Sequence, residues 1–199
     1  MIEKHTNYPL EIRAWIEELR YDDVVLFKDL EFVISGGRWT CLLGVSGVGK
    51  STLLKLFAGL ASGFSRAQFH CSDNIPLLGR VAYMGQNDLL FPWLTVIENV
   101  MIGDRLRRSS DGLRLGNAYE LLDLVGLRTY ASELPAKLSG GMRQRAALVR
   151  TLLEDKPLVV MDEPFSALDV ITRLKLQDLA AGLLKKKTVF LVSGGAKGV

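Results

Sequence analysis

The stretch Gly44-Val45-Ser46-Gly47-Val48-Gly49-Lys50-Ser51, followed by Thr52, decides the fold of this 199-residue chain. It matches the pattern G-x-x-x-x-G-K-[ST]. Glycines let a backbone bend closely around a phosphate because they carry no Cβ, and the amides of such a loop point inward as donors. Lys50 can neutralise the β- and γ-phosphates of a nucleotide, and Ser51 offers a hydroxyl to Mg²⁺. The stretch therefore predicts a phosphate-binding loop.

The residues on either side have the patterns that such a loop requires. Trp39 to Leu43 is a short apolar run typical of a buried strand, and Cys41 within it is expected to be a buried free thiol. Lys50 to Leu60 predicts a helix with a wide apolar face. The alternative interpretation is a glycine-rich turn between strand and helix that binds no ligand.

Further along the chain, strand-like and helix-like segments alternate. The alternation indicates an α/β fold with a mainly parallel sheet. Polar residues 104–117 predict an exposed loop or helix end, and Lys185–Lys187 are expected in the last helical turn, where cations suit the helix dipole. The predicted elements are an apolar hairpin at 23–34, strands at Gly79–Met84, Leu158–Met161 and Val189–Val192, and helices at Ala118–Val125, Met142–Glu154 and Ile171–Lys187.

An acidic pair, Asp162-Glu163, directly follows the apolar run Leu158–Met161. In an open α/β sheet, ligands bind at the carboxyl ends of the strands. Asp162 is therefore a candidate to hold Mg²⁺ and Glu163 a candidate general base for an attacking water. An exposed Asp-Glu at the end of a strand, with no functional role, is the alternative.

A second loop of small residues, Leu138-Ser139-Gly140-Gly141, precedes the helix predicted from Met142. Glycines before a helix N-terminus form a concavity that suits an anion, and Ser139 adds a hydroxyl donor. Taken alone, the same pattern is equally typical of an ordinary helix cap.

Composition excludes several classes of protein. The net charge of +3 is too small to predict nucleic-acid or membrane binding by charge alone. No apolar run reaches the roughly 18 residues that a membrane span needs. The first 20 residues carry four glutamates, which a secretory signal would not. With two cysteines there is no disulfide framework, and the cytoplasm is the expected compartment.

Taken in order, these motifs resemble those of the ATP-binding cassette (ABC) family. Leu138–Arg145 resembles its signature motif, and Asp162–Asp169 resembles the Walker B segment that runs into the D-loop. Gln86, in Tyr83-Met84-Gly85-Gln86, resembles the Q-loop glutamine, and Tyr21 lies where the family places an aromatic that stacks on adenine. A plain core or surface tyrosine is the alternative for Tyr21. The resemblance covers about residues 15–192.

The resemblance implies a P-loop NTPase (RecA-like) parallel sheet core with an α-helical sub-domain. It implies one ATP-binding domain over 1–199, with the helical insert at about 87–157. It also implies an ATPase that uses ATP and Mg²⁺ and works as a homodimer. The implied roles are catalysis for Glu163 and Gln86; ATP binding for Tyr21 and residues 44–52; contact with the partner subunit's ATP for Ser139, Gly140, Gly141 and Met142; a D-loop role for Asp169; and Mg²⁺ binding for Ser51, Gln86 and Asp162.

The ending Met142-Arg143-Gln144-Arg145 is similar to importers of the nitrate, sulfonate, taurine and thiamine-pyrimidine type. That similarity implies an integral membrane permease as partner, a solute-binding protein as an indirect partner and no nucleic acid. The subunit would lie on the cytoplasmic face of the inner or plasma membrane. Residues 87–100 would sit where the permease docks, with Trp93 either a contact there or an ordinary core residue.

The sequence departs from the family after its last strand. Gly194 stands where the family has a histidine that supports hydrolysis, and residues 193–199 have no family pattern. We therefore expect a truncation or frameshift after about residue 193, apolar faces left uncovered and ATP binding better preserved than hydrolysis. Two alternatives to an importer ATPase stay open: a nucleotide-binding remnant that does not hydrolyse ATP, and a soluble ABC ATPase without a role in transport.

Overall fold

A computed structural model of the chain describes residues 9–45, 47–61, 65–108 and 112–194. The chain divides into two compact units. The first comprises the chain up to Tyr83, Lys156–Glu163 and the chain from Leu184 onward. The second comprises Met84–Asp155 and Pro164–Leu183, so it includes most of the predicted helical insert and one further helix.

A parallel sheet carries the phosphate loop. Its four strands lie in the order β3-β7-β6-β5, and β7 pairs in parallel with both β3 and β6. All five residues of β6 are buried, as expected for a strand covered on both faces. The strands are β3 (Trp39–Gly44), β5 (Val81–Met84), β6 (Leu158–Asp162) and β7 (Thr188–Gly194).

The first unit also contains an antiparallel sheet in the order β2-β1-β4, built from β1 (Ile12–Tyr21), β2 (Val24–Ile34) and β4 (Ser65–Cys71). The expected hairpin within 23–34 is wrong, because those residues form one long strand. The hairpin lies between β1 and β2, and its turn uses Asp22 at a φ of 50°. Alternate residues of β1, such as Ile12 and Ala14, are buried, which fixes the register of the strand.

Aromatic rings fill the core of this unit. The ring of Phe57 lies 4.6 Å from Phe69, 5.3 Å from Phe190 and 5.9 Å from Phe32. Such tilted and edge-on pairs are favourable arrangements for aromatic side chains. Phe57 is the last residue of α1 (Lys50–Phe57), so the cluster ties the helix after the phosphate loop to both sheets.

Two expectations for this unit are corrected. Helix α1 ends at Phe57 rather than Leu60, because Gly59 has a φ of 70° and the Leu60 amide donates to the Lys55 carbonyl at 2.8 Å, which closes the helix. Cys41 is exposed rather than buried, because it lies on β3, at the edge of the parallel sheet.

The second unit is helical. The end of a helix at Arg107, with Arg105 and Arg108 exposed, agrees with the expected exposed loop or helix end over 104–117. Asp104 departs from that expectation, because it is buried and forms 2.9 Å ion pairs with Arg107 and Arg114. Its helices are α2 (Val96–Val100), α3 (Ile102–Arg107), α4 (Gly112–Leu124), α5 (Gly140–Leu153) and α6 (Val170–Leu183), with short 3₁₀ turns at Arg128–Tyr130 and Pro135–Lys137.

Helix α6 also ends earlier than expected. Lys185–Lys187 follow the helix instead of forming its last turn, and the Lys187 amide donates to the Leu184 carbonyl at 2.9 Å in a turn that leads into β7. Among the described residues, no helix combines the length and apolarity that crossing a bilayer requires.

Candidate nucleotide-binding site

The phosphate loop runs from Gly44, the last residue of β3, to the start of α1. Gly47 and Gly49 have φ values of 87° and 92°, a region that favours glycine. A Cβ at Gly49 would lie 3.0 Å from the Leu26 side chain, so packing also favours glycine there. The predicted loop residue Ser46 lies outside the described residues.

Lys50 is the charged residue of this loop. It is 6% exposed, and its Nζ donates to the carbonyl oxygens of Gly44 at 2.8 Å and Val45 at 2.7 Å. These bonds hold the ammonium group against the loop. A buried ammonium with carbonyl partners is a suitable counter-charge for an anion that the loop encloses.

The start of α1 supplies a second source of positive potential. Its N-cap is Gly49, no side chain caps its first turn, and that turn contains no acidic residue. Ser51 and Thr52 are half-buried in that turn. The unpaired amides of a helix N-terminus attract phosphate, so loop, lysine and helix all favour the same kind of ligand.

The acidic pair lies at the same edge of the sheet. Gly44 of β3 pairs with Gly194, and Asp162 of β6 pairs with Val192, so both strands end beside β7. Asp162 is 3% exposed, and burial together with the Asp162 charge raises the pKa of Tyr83. The strand register therefore brings the carboxylates to the edge where the phosphate loop begins.

Glu163 has a strained backbone. Its φ is 47°, and its amide donates to the Val192 carbonyl at 3.0 Å. Non-glycine residues adopt such a φ only where the surrounding structure enforces it, and this strain is common at functional sites. A Cβ built at Gly194 would lie 2.8 Å from Glu163 Oε1, so the position that lacks the expected histidine adjoins the proposed base.

The donor set predicted for Mg²⁺ suits that ion. Ser51, Gln86 and Asp162 offer hydroxyl, amide and carboxylate oxygens, the hard ligands that Mg²⁺ prefers. Over residues 9–45, 47–61, 65–108 and 112–194, no cluster of three or more His, Cys, Asp or Glu side chains could hold a metal.

The second glycine loop forms the start of α5. Ser139 is the N-cap, and its Oγ accepts a hydrogen bond from the Met142 amide at 3.3 Å. A Cβ at Gly141 would lie 3.3 Å from the Leu168 side chain. The Ser139 bond shows that the ordinary capping role is present. The amides of Gly140 and Gly141 remain at an exposed helix end.

Two contacts of the predicted D-loop were not foreseen from the sequence. The Ala167 amide donates to Gln144 Oε1 on α5 at 3.1 Å. Asp169 accepts the Thr172 amide at 3.0 Å, which caps α6 and holds the pKa of the Asp169 carboxyl below its usual value. The Asp169 bond has the i to i+3 spacing of an ordinary helix N-cap, whereas Ala167 and Gln144 lie 23 residues apart and no short motif pairs them.

Two predicted aromatic contacts lie at the surface. Tyr21, at the end of β1, is 51% exposed. Trp93 is 70% exposed, and its ring lies 5.4 Å from the ring of Phe91, so the interpretation of Trp93 as a core residue is wrong. Gln86 is also exposed.

Comparison with protein-family models identifies the chain. Residues 27–166 match the model described as ABC transporter. The chain belongs to the ABC transporter family. The predicted resemblance is therefore confirmed over the range that includes the phosphate loop, the signature motif and the Asp162-Glu163 pair.

Three proteins that are similar to this chain are named as ATP-binding proteins of transport systems. An uncharacterized ABC transporter ATP-binding protein from Haemophilus influenzae is 39% identical over 176 residues, which are 88% of the chain and 72% of that protein. The aliphatic sulfonates import ATP-binding protein SsuB 1 of Rhodococcus jostii is 39% identical, with 87% and 69% covered. The taurine import ATP-binding protein TauB of Pseudomonas aeruginosa is 39% identical, with 84% and 65% covered.

A solved structure matches the ABC chain in fold. The dimeric, post-hydrolysis structure of the ATP-binding cassette MJ0796 bound to ADP and Pi aligns with a TM-score of 0.78 at 27% identity. The alignment covers 92% of this chain and 87% of that one. The predicted P-loop NTPase fold, a parallel sheet core with helices, is confirmed.

Proposed function

We propose that this chain is the ATP-binding and ATP-hydrolysing subunit of an importer, acting through a partner permease. One observation carries the nucleotide part of the proposal: the register of the parallel sheet brings the phosphate loop and Asp162-Glu163 to one edge. The importer part is supported by relatives that are named as import ATP-binding proteins.

The roles of the residues in ATP binding follow from their chemistry. Lys50 and the amides of residues 44–52 bind the phosphates, and Tyr21 stacks on adenine. Ser51, Gln86 and Asp162 hold Mg²⁺, which neutralises phosphate charge when it is bound.

Two copies of the chain would complete each ATP site. A pair related by a two-fold axis lets the phosphate loop of one copy face Ser139–Gly141 and Met142 of the other, with Asp169 near the contact between copies. The α5 N-terminus offers amides suited to a phosphate. The dimeric state of the MJ0796 structure supports this arrangement.

For hydrolysis, Glu163 takes a proton from water as the water oxygen attacks the γ-phosphorus. The bond between the γ-phosphorus and the oxygen that bridges to the β-phosphate breaks, and ADP leaves. Gln86 orients the water. Because Gly194 supplies no imidazole beside Glu163, we expect slow turnover together with intact ATP binding.

Replacing Gly194 tests the hydrolysis step. A Cβ at this position meets only the mobile end of the Glu163 side chain, so Gly194→His and Gly194→Ala should both fold. We expect Gly194→His to raise the single-turnover rate of ATP hydrolysis about tenfold or more, within the range of a positioned acid–base group. Gly194→Ala is the matched control, because it displaces the Glu163 carboxylate by the same Cβ without adding an imidazole, and it should not exceed the parent rate. A parent chain as fast as Gly194→His would contradict the proposed role of position 194.

The same glycine favours a second candidate, a nucleotide-binding protein that does not hydrolyse ATP. Mg·ATP binding without turnover, even after addition of a permease, would support that candidate over the importer ATPase.

The partner proposal rests on the helical unit. Residues 87–100 would dock the permease at the cytoplasmic face of the membrane, with Trp93 as a contact. The names of two relatives suggest a sulfonate or taurine as the solute. A solute-binding protein would be an indirect partner. Nucleic acid is not a proposed partner. Co-purification of the chain with a membrane permease, lost in Trp93→Ala, would support this proposal, and retention in Trp93→Ala would remove Trp93 from the interface.

A further inference from the structure

The segment Asp88–Thr95 of the helical unit exposes three apolar side chains. Leu89, Phe91 and Trp93 are all accessible to solvent, and the two aromatic rings lie 5.4 Å apart. Leu89 has a φ of 50°, so the backbone is held in an unfavourable conformation here. The contacts that hold the segment come from α2 and α5.

Asn99 of α2 fixes the C-terminal half of the segment. It is 0% exposed, and its Nδ2 donates to the carbonyl oxygens of Phe91, Leu94 and Thr95 at 3.1, 2.9 and 3.0 Å. Its Oδ1 accepts the Phe91 amide at 2.7 Å. One buried amide therefore sets the conformation that presents Trp93.

Helix α5 fixes the N-terminal half. The Arg150 guanidinium donates to the carbonyl oxygens of Asp88 at 2.7 Å and Leu89 at 2.8 Å, and burial lowers its pKa. Arg143 Nε donates to Asp88 Oδ2 at 3.0 Å, and its Nη1 donates to the Leu138 carbonyl at 2.8 Å. Arg143 thus contacts both the segment and the residue that precedes Ser139.

We propose that Asp88, Arg143 and Arg150 form a strut that couples the signature end of α5 to the exposed segment, so that movement of α5 on nucleotide binding moves Trp93. The inference rests on the proposed function, because Ser139–Gly141 must contact ATP for α5 to respond. Asp88 is then a positioning residue for the docking surface. The Asp88–Arg143 pair is partly exposed, and such pairs contribute little to folding stability, so its effect is on geometry.

Trp93 itself reports on the strut. The difference in emission between the parent and Trp93→Phe isolates its signal from the other two tryptophans. Mg·ATP is then added, nucleotide binding is measured directly by calorimetry, and dimer formation is followed by light scattering. We expect the parent to show an ATP-dependent change in Trp93 emission.

Asp88→Asn is the critical variant. It keeps an acceptor for the Leu90 amide, which Asp88 Oδ1 accepts at 3.1 Å, and removes the charge that faces Arg143. We expect it to lose about half or more of the ATP-induced Trp93 change, with ATP affinity within about twofold of the parent. Asp123→Asn on α4 is the matched control and should behave as the parent. Arg143→Lys should retain more of the change than Arg143→Met.

The outcomes separate the two proposals. A parent that binds no ATP, or binds it without forming a dimer, overturns the proposed function and the strut with it. A parent that binds ATP and dimerises with no change in Trp93 emission overturns the strut alone. An Asp88→Asn variant that retains the full ATP-induced change in Trp93 emission also overturns the strut alone.

Discussion

The phosphate loop and the segment Asp88–Thr95 are both short loops next to a helix, but different parts of the chain hold them in shape. The loop takes its shape from its own backbone, through the positive φ values of Gly47 and Gly49, and from the local lysine Lys50. The segment is held by side chains from other elements, chiefly Asn99 and Arg150, the latter 61 residues or more along the chain.

This difference has a physical consequence. A loop that binds a ligand through backbone amides needs small residues at fixed spacing, so it leaves a contiguous motif in the sequence. A loop that presents side chains to a partner needs its own polar backbone satisfied from elsewhere. The residues that satisfy it are scattered along the chain.

Replacing Asn99 should disturb the segment Asp88–Thr95 more than any other substitution proposed here. Asn99→Leu removes four hydrogen bonds, among them the side-chain partners of the Phe91 amide and the Leu94 carbonyl, so we expect the free energy of unfolding to fall by about 3 kcal/mol. Chemical denaturation followed by circular dichroism measures the loss. Asn117→Leu, at an exposed position of α4, is the control and should change stability by less than about 0.5 kcal/mol. Equal effects at the two positions would refute the bracing role of Asn99.

A matched pair of glycine substitutions tests whether the positive φ of Gly49 is needed for the shape of the phosphate loop. Gly49→Ala forces an alanine to a φ of 92° against Leu26, and we expect it to cost about 1–3 kcal/mol. Gly116→Ala, inside α4 with open space around its Cβ, should stabilise by about 1 kcal/mol. Thermal unfolding of both variants and of the parent measures the two changes in stability. A neutral Gly49→Ala would show that the loop tolerates a side chain there.

The smallest expected effect is at Asp169. Its folded-state pKa lies below the usual value near 4 because its carboxylate accepts the Thr172 amide. It therefore stabilises the fold at pH values above about 4, and this contribution is lost as pH falls through the folded-state pKa. The difference in Tm between the parent and Asp169→Asn should narrow from pH 7 to pH 3. A difference independent of pH would contradict the cap.

Much of the first unit could be predicted from its sequence. Apolar runs predict β6 and most of β7, because strands buried on both faces are apolar throughout. An apolar run also predicts β3, although β3 is only half-buried or exposed. The antiparallel sheet was missed because β2 alternates only loosely between exposed and half-buried residues, and its partner β1 was not recognised. Cys41 was misjudged because an apolar run does not reveal that its strand lies at the edge of a sheet.

The second unit was less predictable. Ser139-Gly140-Gly141 predicts the start of α5, whereas the polar residues 104–117 predict only an exposed loop or helix end and do not reveal the whole of α3. The buried carboxylate of Asp104 pairs with Arg107, one helical turn along the same helix, and with Arg114, ten residues along the chain. The pairing with Arg114 follows no helical period, so the sequence did not indicate that Asp104 is buried. The burial of Asn99 was equally hard to predict. Asparagine is usually a surface residue, and only the structure shows that Asn99 is buried.

Calorimetric titration of Mg·ATP into the parent, Lys50→Ala and Lys55→Ala tests the central claim most directly. Both lysines lie on α1, but Lys50 is buried against the loop carbonyls and Lys55 is exposed. We predict that the parent and Lys55→Ala bind one ATP per chain with similar affinity. Lys50→Ala should bind about tenfold more weakly or worse, because a charge-assisted hydrogen bond contributes about 1.5–3 kcal/mol. Equal binding by all three proteins, or no binding by the parent, would contradict the assignment of the phosphate loop.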